Sequence, residues 1–140
     1  MSVKLAKIVK HCWLEAYDEV GGLDFTRACA PKVIHLIGSA SWDKGTYTLG
    51  TAEGGLKVTL YMGNWLDLTN VDRMNEYYFK VMHHEFAHIL HQKKNYPVDY
   101  DKISAGNYTP TGWQNRKLAE VAPLGFVTPY AGSTVSYTHL

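Results

Sequence analysis

Two histidines and a glutamate stand together in the segment His84–His88, whose sequence is HEFAH. Residues four apart share one face of an α-helix, so His84 and His88 can hold one metal ion between them. Zinc binds imidazole nitrogens at about 2.0–2.1 Å, and Glu85 would lie beside the ion as general base toward a zinc-bound water. The pattern predicts a zinc hydrolase site. The alternative is a buried helix whose histidines are satisfied by hydrogen bonds.

A catalytic zinc ion has three protein ligands and one open position, so one ligand must lie outside this motif. Glu120 is the first candidate, because a glutamate from a later helix completes many sites of this type. Its alternative role is that of a solvent-facing helix residue. Weaker candidates are three further oxygen-bearing side chains of the same region: Asp99, Asp101 and Tyr108.

The neighbouring histidines are expected to have other roles. His91 lies seven residues after His84, about 10 Å along a helix axis, which places it at the edge of the site. His83 points away from the face of the metal pair and is expected to pack or to form a hydrogen bond. Tyr108 and Tyr130 are possible hydrogen-bond donors to a tetrahedral oxyanion.

The helix that carries the motif is predicted to run from about residue 71 to residue 94. Asn70 or Thr69 can cap its start, and Pro97 prevents it from continuing. Such a helix would hold both metal ligands on one face.

The remaining segments predict a small sheet between helices. Apolar residues recur every three or four positions from Val3 to Val20, which indicates an amphipathic helix that ends at Gly21 and Gly22. A later helix is expected over Trp113–Val121, capped by Thr111. Strands are predicted at residues 32–38, 46–49 and 56–62, and turns or loops at residues 23–31, 39–45, 51–55 and 97–110. This order is typical of the α+β class, with a small mixed sheet packed on the N-terminal helix and the motif helix.

The composition is that of one globular domain. The chain has 140 residues, of which 46% are hydrophobic and 19% charged. A formal charge of +1 gives no electrostatic basis for binding nucleic acid or an anionic membrane. No apolar run approaches the roughly 18 residues of a transmembrane helix, and the start lacks the apolar core of a signal peptide. Cys12 and Cys29 lack a metal-binding spacing and are expected to be free thiols.

Three segments together resemble the zinc-binding metallopeptidases of Bacteroidetes. They are HHEFAHILHQ at residues 83–92, IGSASWDKGTYTLGTAEGGLKVTLY at 37–61 and GFVTPYA at 125–131. Those proteins are substrate import-associated zinc metallohydrolase lipoproteins, often encoded beside SusC/SusD-type nutrient-uptake pairs. The resemblance implies a zincin-like core, a bound zinc ion, and a place in the cell envelope, as an outer-membrane lipoprotein or in the periplasm. It matches His84 and His88 to the zinc ligands and Glu85 to the catalytic glutamate.

The sequence departs from that family at both ends. Family members begin with a lipoprotein signal peptide and an N-terminal segment, and they continue into an acidic helix resembling EDFAE that could supply a glutamate ligand. We therefore expect a zincin-like domain over residues 1–131, truncated at both ends, and a non-native or disordered tail over residues 132–140. In that case the third ligand is missing and Glu120 has no role in the site.

The sequence thus predicts a zinc-dependent metallohydrolase, namely a metallopeptidase that acts on a peptide or protein. The alternative is a zincin-like binding or accessory module of an outer-membrane nutrient-uptake system without catalysis, which recognises peptide or glycan through aromatic residues after the motif. A third possibility is a folded but inactive fragment with an incomplete site.

Overall fold

The computed structural model describes residues 2–43 and 45–133. The chain forms two compact units, of which the first ends at Lys94 and the second begins at Asn95. No helix within the described ranges combines the length and the apolar character that crossing a bilayer requires.

Two long helical stretches dominate the first unit, as the sequence predicted. Its α-helices are α1 (Ser2–Ile8), α2 (Glu15–Gly21), α3 (Leu23–Cys29), α4 (Val71–Met74) and α5 (Lys80–Lys93). The π-helical segment Val9–Leu14 joins α1 to α2, and Asn75–Phe79 joins α4 to α5. The predicted helices at 3–20 and 71–94 are therefore confirmed, although each contains one wider turn.

The ends of these stretches follow local chemistry. Asn70 caps α4, because its Oδ1 accepts a hydrogen bond of 2.9 Å from the Arg73 N–H. Gly22 follows α2 with a φ of 82°, a backbone conformation that glycine adopts without strain. The predicted cap at Asn70 and the predicted stop at the glycine pair are both confirmed.

Five short strands make a mixed sheet and a separate hairpin. They are β1 (Val33–Leu36), β2 (Ser41–Asp43), β3 (Thr46–Thr48), β4 (Gly50–Glu53) and β5 (Lys57–Leu60). The sheet has the order β1-β5-β4, with β1 parallel and β4 antiparallel to β5, while β2 and β3 form an antiparallel hairpin. The three predicted strands are found, and the small mixed sheet agrees with the α+β class.

All four segments predicted as loops or turns contain regular structure, so those predictions are wrong in part, and residues 97–110 contain the short helix Tyr100–Ile103. Residues 23–31 contain α3, whose last carbonyls at Ala28 and Cys29 accept hydrogen bonds from Lys93 Nζ at 2.8 and 3.1 Å. Residues 39–45 contain β2, which pairs with β3, and residues 51–55 contain most of β4, which packs on α5. Partners distant in sequence contact α3 and β4, whereas β2 is stabilised by its neighbour β3 in the hairpin.

The core of the first unit lies between the N-terminal helices, α5 and the sheet. Phe86 is central to it, because Trp13 and Tyr17 meet its ring edge-to-face with centroid distances of 5.8 and 4.6 Å. The buried apolar side chains of this core are Leu5, Ile8, Val9, Trp13, Val58, Leu60, Leu66, Tyr78, Val81, Met82, Phe86 and Ile89. The motif helix is thus held by packing on the N-terminal helices and on the sheet.

The second unit has short helices around a small core. Its α-helices are α6 (Tyr100–Ile103) and α7 (Leu118–Val121), and its 3-10 turns are Trp113–Asn115, Ala122–Leu124 and Tyr130–Gly132. The core consists of Val121, Phe126 and Ala131. The single helix predicted over Trp113–Val121 is wrong, because the backbone is extended at Arg116 and Lys117 and α7 begins only after them, so Thr111 is not its cap. Of the predicted tail, residues 134–140 lie outside the described residues.

Candidate metal centre

α5 places the two motif histidines next to each other on one face of the helix. The Nε2 atoms of His84 and His88 lie 3.2 Å apart, within hydrogen-bonding distance of each other. The two rings are nearly perpendicular, with an interplanar angle of 85° and a centroid distance of 4.8 Å. Both side chains are half-buried.

This geometry matches two positions of a tetrahedral zinc ion. Two nitrogens at 2.0–2.1 Å from such an ion are about 3.3–3.4 Å apart, and the observed separation is 3.2 Å. Small rotations of the two rings would therefore direct both lone pairs at one point. The histidine pair fits zinc as two of its three expected protein ligands.

The surroundings keep both imidazoles neutral, which metal binding requires. Burial lowers the pKa of His84 to about 4, with smaller contributions from the neighbouring His88 and Lys80. Burial also lowers the pKa of His88, and His91 adds to that effect. At pH 7 both rings are therefore mainly in the neutral form that metal coordination requires.

Glu85 is the buried acid of the site, with 7% of its surface exposed. Burial raises the pKa of its carboxyl to about 7, because the charged form loses its hydration. A group with this pKa can both accept and release a proton near neutral pH. Its side chain rests against Gly50 at the start of β4, where a methyl group would lie 3.0 Å from Glu85 Cγ.

The N-terminal helices support the opposite side of the motif. The hydroxyl of Tyr17 on α2 lies 3.0 Å from Nδ1 of His83, which confirms the hydrogen-bonding role expected for this histidine. The same tyrosine ring packs on Phe86. His83 and Phe86, which flank His84 and Glu85 in the sequence, thereby both contact α2.

The third ligand is not assembled in the described part of the chain. Among residues 2–43 and 45–133, no group of three or more His, Cys, Asp or Glu side chains is arranged to hold a metal ion. Glu120 is exposed in the first turn of α7, and its Oε2 accepts a hydrogen bond of 3.2 Å from the Lys117 N–H. Its role as a metal ligand stays a prediction.

The weaker candidates have other contacts in the second unit. Asp99 Oδ1 accepts a hydrogen bond of 2.8 Å from Lys102 Nζ. Tyr108 packs on Phe126 and Tyr130 on Trp113, with ring centroids 5.3 and 4.8 Å apart. The side chain of Asp101 lies outside the described residues. Both cysteines are free, as predicted.

Two residues that support the site were missed in the sequence. Tyr17 gave no signal beyond its place in an amphipathic helix. Gly50 precedes a segment predicted to turn, and a glycine in a turn attracts no attention. Its contact with Glu85 arises only because β4 packs on α5.

Comparison with known proteins identifies the family of the chain. A family model described as "Putative zinc-binding metallo-peptidase" matches residues 1–136. No curated protein matches the chain. A solved structure described as a putative zinc-binding metallo-peptidase from Bacteroides caccae is 98% identical over 97% of this chain, with a TM-score of 0.76. This chain spans 52% of that protein. Because the family model covers nearly the whole sequence, the chain belongs to the family described as putative zinc-binding metallo-peptidases.

Proposed function

We propose that this chain carries the catalytic residues of a zinc-dependent metallopeptidase. His84 and His88 are two of the zinc ligands, and Glu85 is the general base. The observation that carries the proposal is that one helix places two imidazole nitrogens 3.2 Å apart and carries the buried carboxyl of Glu85 on the same turn. The family described above supports the same activity.

The chemistry divides between the ion and the side chains. When bound, zinc supplies a Lewis acid that polarises the peptide carbonyl and lowers the pKa of water. Glu85 takes the proton from the attacking water and returns it to the nitrogen of the leaving amine. In the metal-free protein burial raises the pKa of this carboxyl to about 7, which favours proton transfer in both directions near neutral pH. The packing of Phe86 and Tyr17 behind the motif holds the three side chains in place.

The third ligand and the complete active protein belong to the proposal as well. Glu120 is the candidate within this chain. Its carboxylate is exposed and accepts a hydrogen bond from the Lys117 N–H at the start of α7. This chain spans 52% of the Bacteroides caccae protein, so peptidase activity is proposed for the complete protein. Whether this chain alone hydrolyses peptides is a separate measurement.

Zinc binding is tested first, by elemental mass spectrometry on protein loaded with zinc and then dialysed. We expect one zinc ion per wild-type chain and loss of the ion in His88→Ala. His91→Ala and His83→Ala are the matched controls, since they remove a histidine from the same helix and should retain zinc. Loss of zinc in Glu120→Gln would assign the third ligand. Equal zinc content in wild type and His88→Ala would refute the metal site.

Catalysis is then tested with Glu85→Gln. This variant keeps the shape of the side chain but cannot take a proton, so peptide hydrolysis should be abolished while zinc stays bound. Glu76→Gln, an exposed glutamate nine residues earlier, is the control and should retain activity. Hydrolysis by Glu85→Gln at the wild-type rate would exclude Glu85 as general base.

A binding module without catalysis is the second candidate. The observation that favours it is an exposed aromatic pair on the β2–β3 hairpin, where Trp42 and Tyr47 lie edge-to-face at 5.3 Å with 65% and 41% of their surfaces exposed. Exposed rings of this kind bind peptide or glycan surfaces. Ligand binding that survives both zinc removal and Glu85→Gln would favour this function over hydrolysis.

A place in the cell envelope and a partnership with a SusC/SusD-type uptake complex are proposed from the family resemblance alone. Cell fractionation of the complete protein and co-purification with the uptake pair test them. Recovery of the protein in the cytoplasm, without uptake components, would exclude both.

A further inference from the structure

Gly50 stands where the edge strand of the sheet meets the motif helix. It begins β4, the edge strand in the order β1-β5-β4, and its pairing partner on β5 is Leu60. β4 packs directly on α5. The strand and the helix therefore approach each other closely at this residue.

A side chain at this position would meet two residues of α5 at once. A methyl group built on Gly50 lies 2.6 Å from Val81 Cγ1, 3.0 Å from Glu85 Cγ and 3.1 Å from Glu85 Oε1. All three distances are shorter than ordinary van der Waals contacts of about 3.5–4.0 Å. The side chain of Glu85 thus lies against a surface that only a glycine provides.

The reason for glycine at this position is space. The φ angle of Gly50 lies outside the left-handed region, whereas Gly54 and Gly55 have φ angles of 58° and 67°. Alanine could adopt the backbone conformation found at position 50, but its Cβ would be obstructed. Val81 cannot easily make room, because a valine in a helix has essentially one favoured χ1 rotamer. The Glu85 carboxylate is at the flexible end of its side chain, so it is the group that would move.

We propose that Gly50 is a positioning residue that fixes the carboxylate of Glu85 beside the histidine pair. The inference rests on the proposed function of Glu85 as general base. A methyl group at position 50 displaces the carboxylate by a fraction of an ångström to about one ångström. Displacements of that size reduce catalytic rates by as much as about 100-fold.

The kinetic test uses Gly50→Ala, Val81→Ala and the double variant, with zinc content measured for each. Val81→Ala removes the nearest obstructing atom but leaves both contacts to Glu85. We expect Gly50→Ala to lower kcat by about 100-fold with KM and zinc content unchanged. The double variant should lose less free energy of unfolding than the sum of the losses in the two single variants, as measured by urea unfolding. Its kcat should stay as low as that of Gly50→Ala. Recovery of both properties together would mean that Gly50 serves packing alone and would overturn the proposal.

Gly38→Ala is the matched control for overpacking. Gly38 also lacks a left-handed φ, and a methyl group there would lie 2.7 Å from Asn64 Nδ2 in the loop after β5. This variant should keep the wild-type kcat. A loss of kcat equal to that of Gly50→Ala would show a general effect of strain and would also overturn the proposal.

A spectroscopic test is independent of hydrolysis. In ¹³C-labelled, metal-free protein, Gly50→Ala should shift the carboxyl signal of Glu85 and leave the signals of exposed glutamates such as Glu19 in place. An unchanged Glu85 signal refutes the positioning role. If the signal moves and the wild type hydrolyses no peptide, the proposed function fails while the contact between Gly50 and Glu85 stands.

Discussion

Replacing Glu85 by glutamine measures what it costs to bury this carboxyl in the metal-free protein. The pKa of Glu85 is about 7 in the folded chain against an ordinary value of 4.5. As the pH rises above 4.5, the unfolded chain loses its proton first, while the folded chain resists ionisation until about pH 7. The stability associated with this group is therefore fully present below pH 4.5 and is lost as the pH rises through 7.

The magnitude follows from the same two values. At about 1.4 kcal/mol per pH unit, the difference between 7 and 4.5 amounts to about 3 kcal/mol at pH 8. A glutamine has no proton to lose, so it avoids this cost. We expect Glu85→Gln to equal wild type in free energy of unfolding at pH 4.5 and to exceed it by up to about 3 kcal/mol at pH 8.

The assay is urea unfolding in the presence of a chelator, followed by tryptophan fluorescence at several pH values. His84 titrates in the opposite sense: its pKa is lowered to about 4, so its contribution is present above pH 6.5 and is lost as the pH falls through 4. This contribution is common to both proteins and cancels in their difference. Glu76→Gln, which removes an exposed glutamate from the same helical stretch, is the control for the loss of one carboxylate. A difference between Glu85→Gln and wild type that stays constant from pH 4.5 to pH 8 would refute the desolvation of Glu85.

Three further variants test the packing that holds the site. Tyr78→Phe should lower the free energy of unfolding by about 1–2 kcal/mol, because its buried hydroxyl donates a 2.8 Å hydrogen bond to the carbonyl of Met62, a non-glycine residue with a φ of 62°. Lys93→Met should lower it by about 1 kcal/mol, since two carbonyls at the end of α3 lose their donor, whereas Lys94→Met should have no effect. Phe86→Ala should cost about 3–5 kcal/mol through the cavity it leaves. Denaturant unfolding measures all three, and wild-type stability in any of them would contradict the corresponding contact.

The parts of the fold that the sequence predicted are those specified by local patterns. The helix at residues 71–94 follows from its apolar period and its cap, and a helix alone brings residues 84 and 88 together. Because the histidine pair needs only this one helix, its geometry could be predicted without knowledge of the tertiary structure. The neutral state of the histidines could not, because it depends on burial by distant segments.

The segments that were predicted wrongly depend on tertiary contacts, which join residues from seven to more than sixty positions apart. The last carbonyls of α3 accept hydrogen bonds from Lys93, which follows α3 by more than sixty residues. The helix expected over residues 113–121 is broken where Arg116 turns to an extended conformation, and its Nη1 donates a 2.9 Å hydrogen bond to Oγ1 of Thr109. Local propensity carries no information about such partners, so it favours the wrong state at these positions.

At the site itself, the role of a glycine also depends on contacts that the local sequence does not reveal, as Gly50 in β4 and Gly54 in the turn after it show. In the sequence, Gly54 lies in a predicted turn, whereas Gly50 lies between a predicted strand and that turn and has no predicted role. In the structure, Gly54 has a φ of 58° and nothing near the position of a Cβ, so it serves the backbone. Gly50 has an ordinary backbone and no room for a Cβ, so it serves Glu85. The two roles separate experimentally, because alanine at Gly54 should affect stability alone, while alanine at Gly50 should affect the rate of hydrolysis as well.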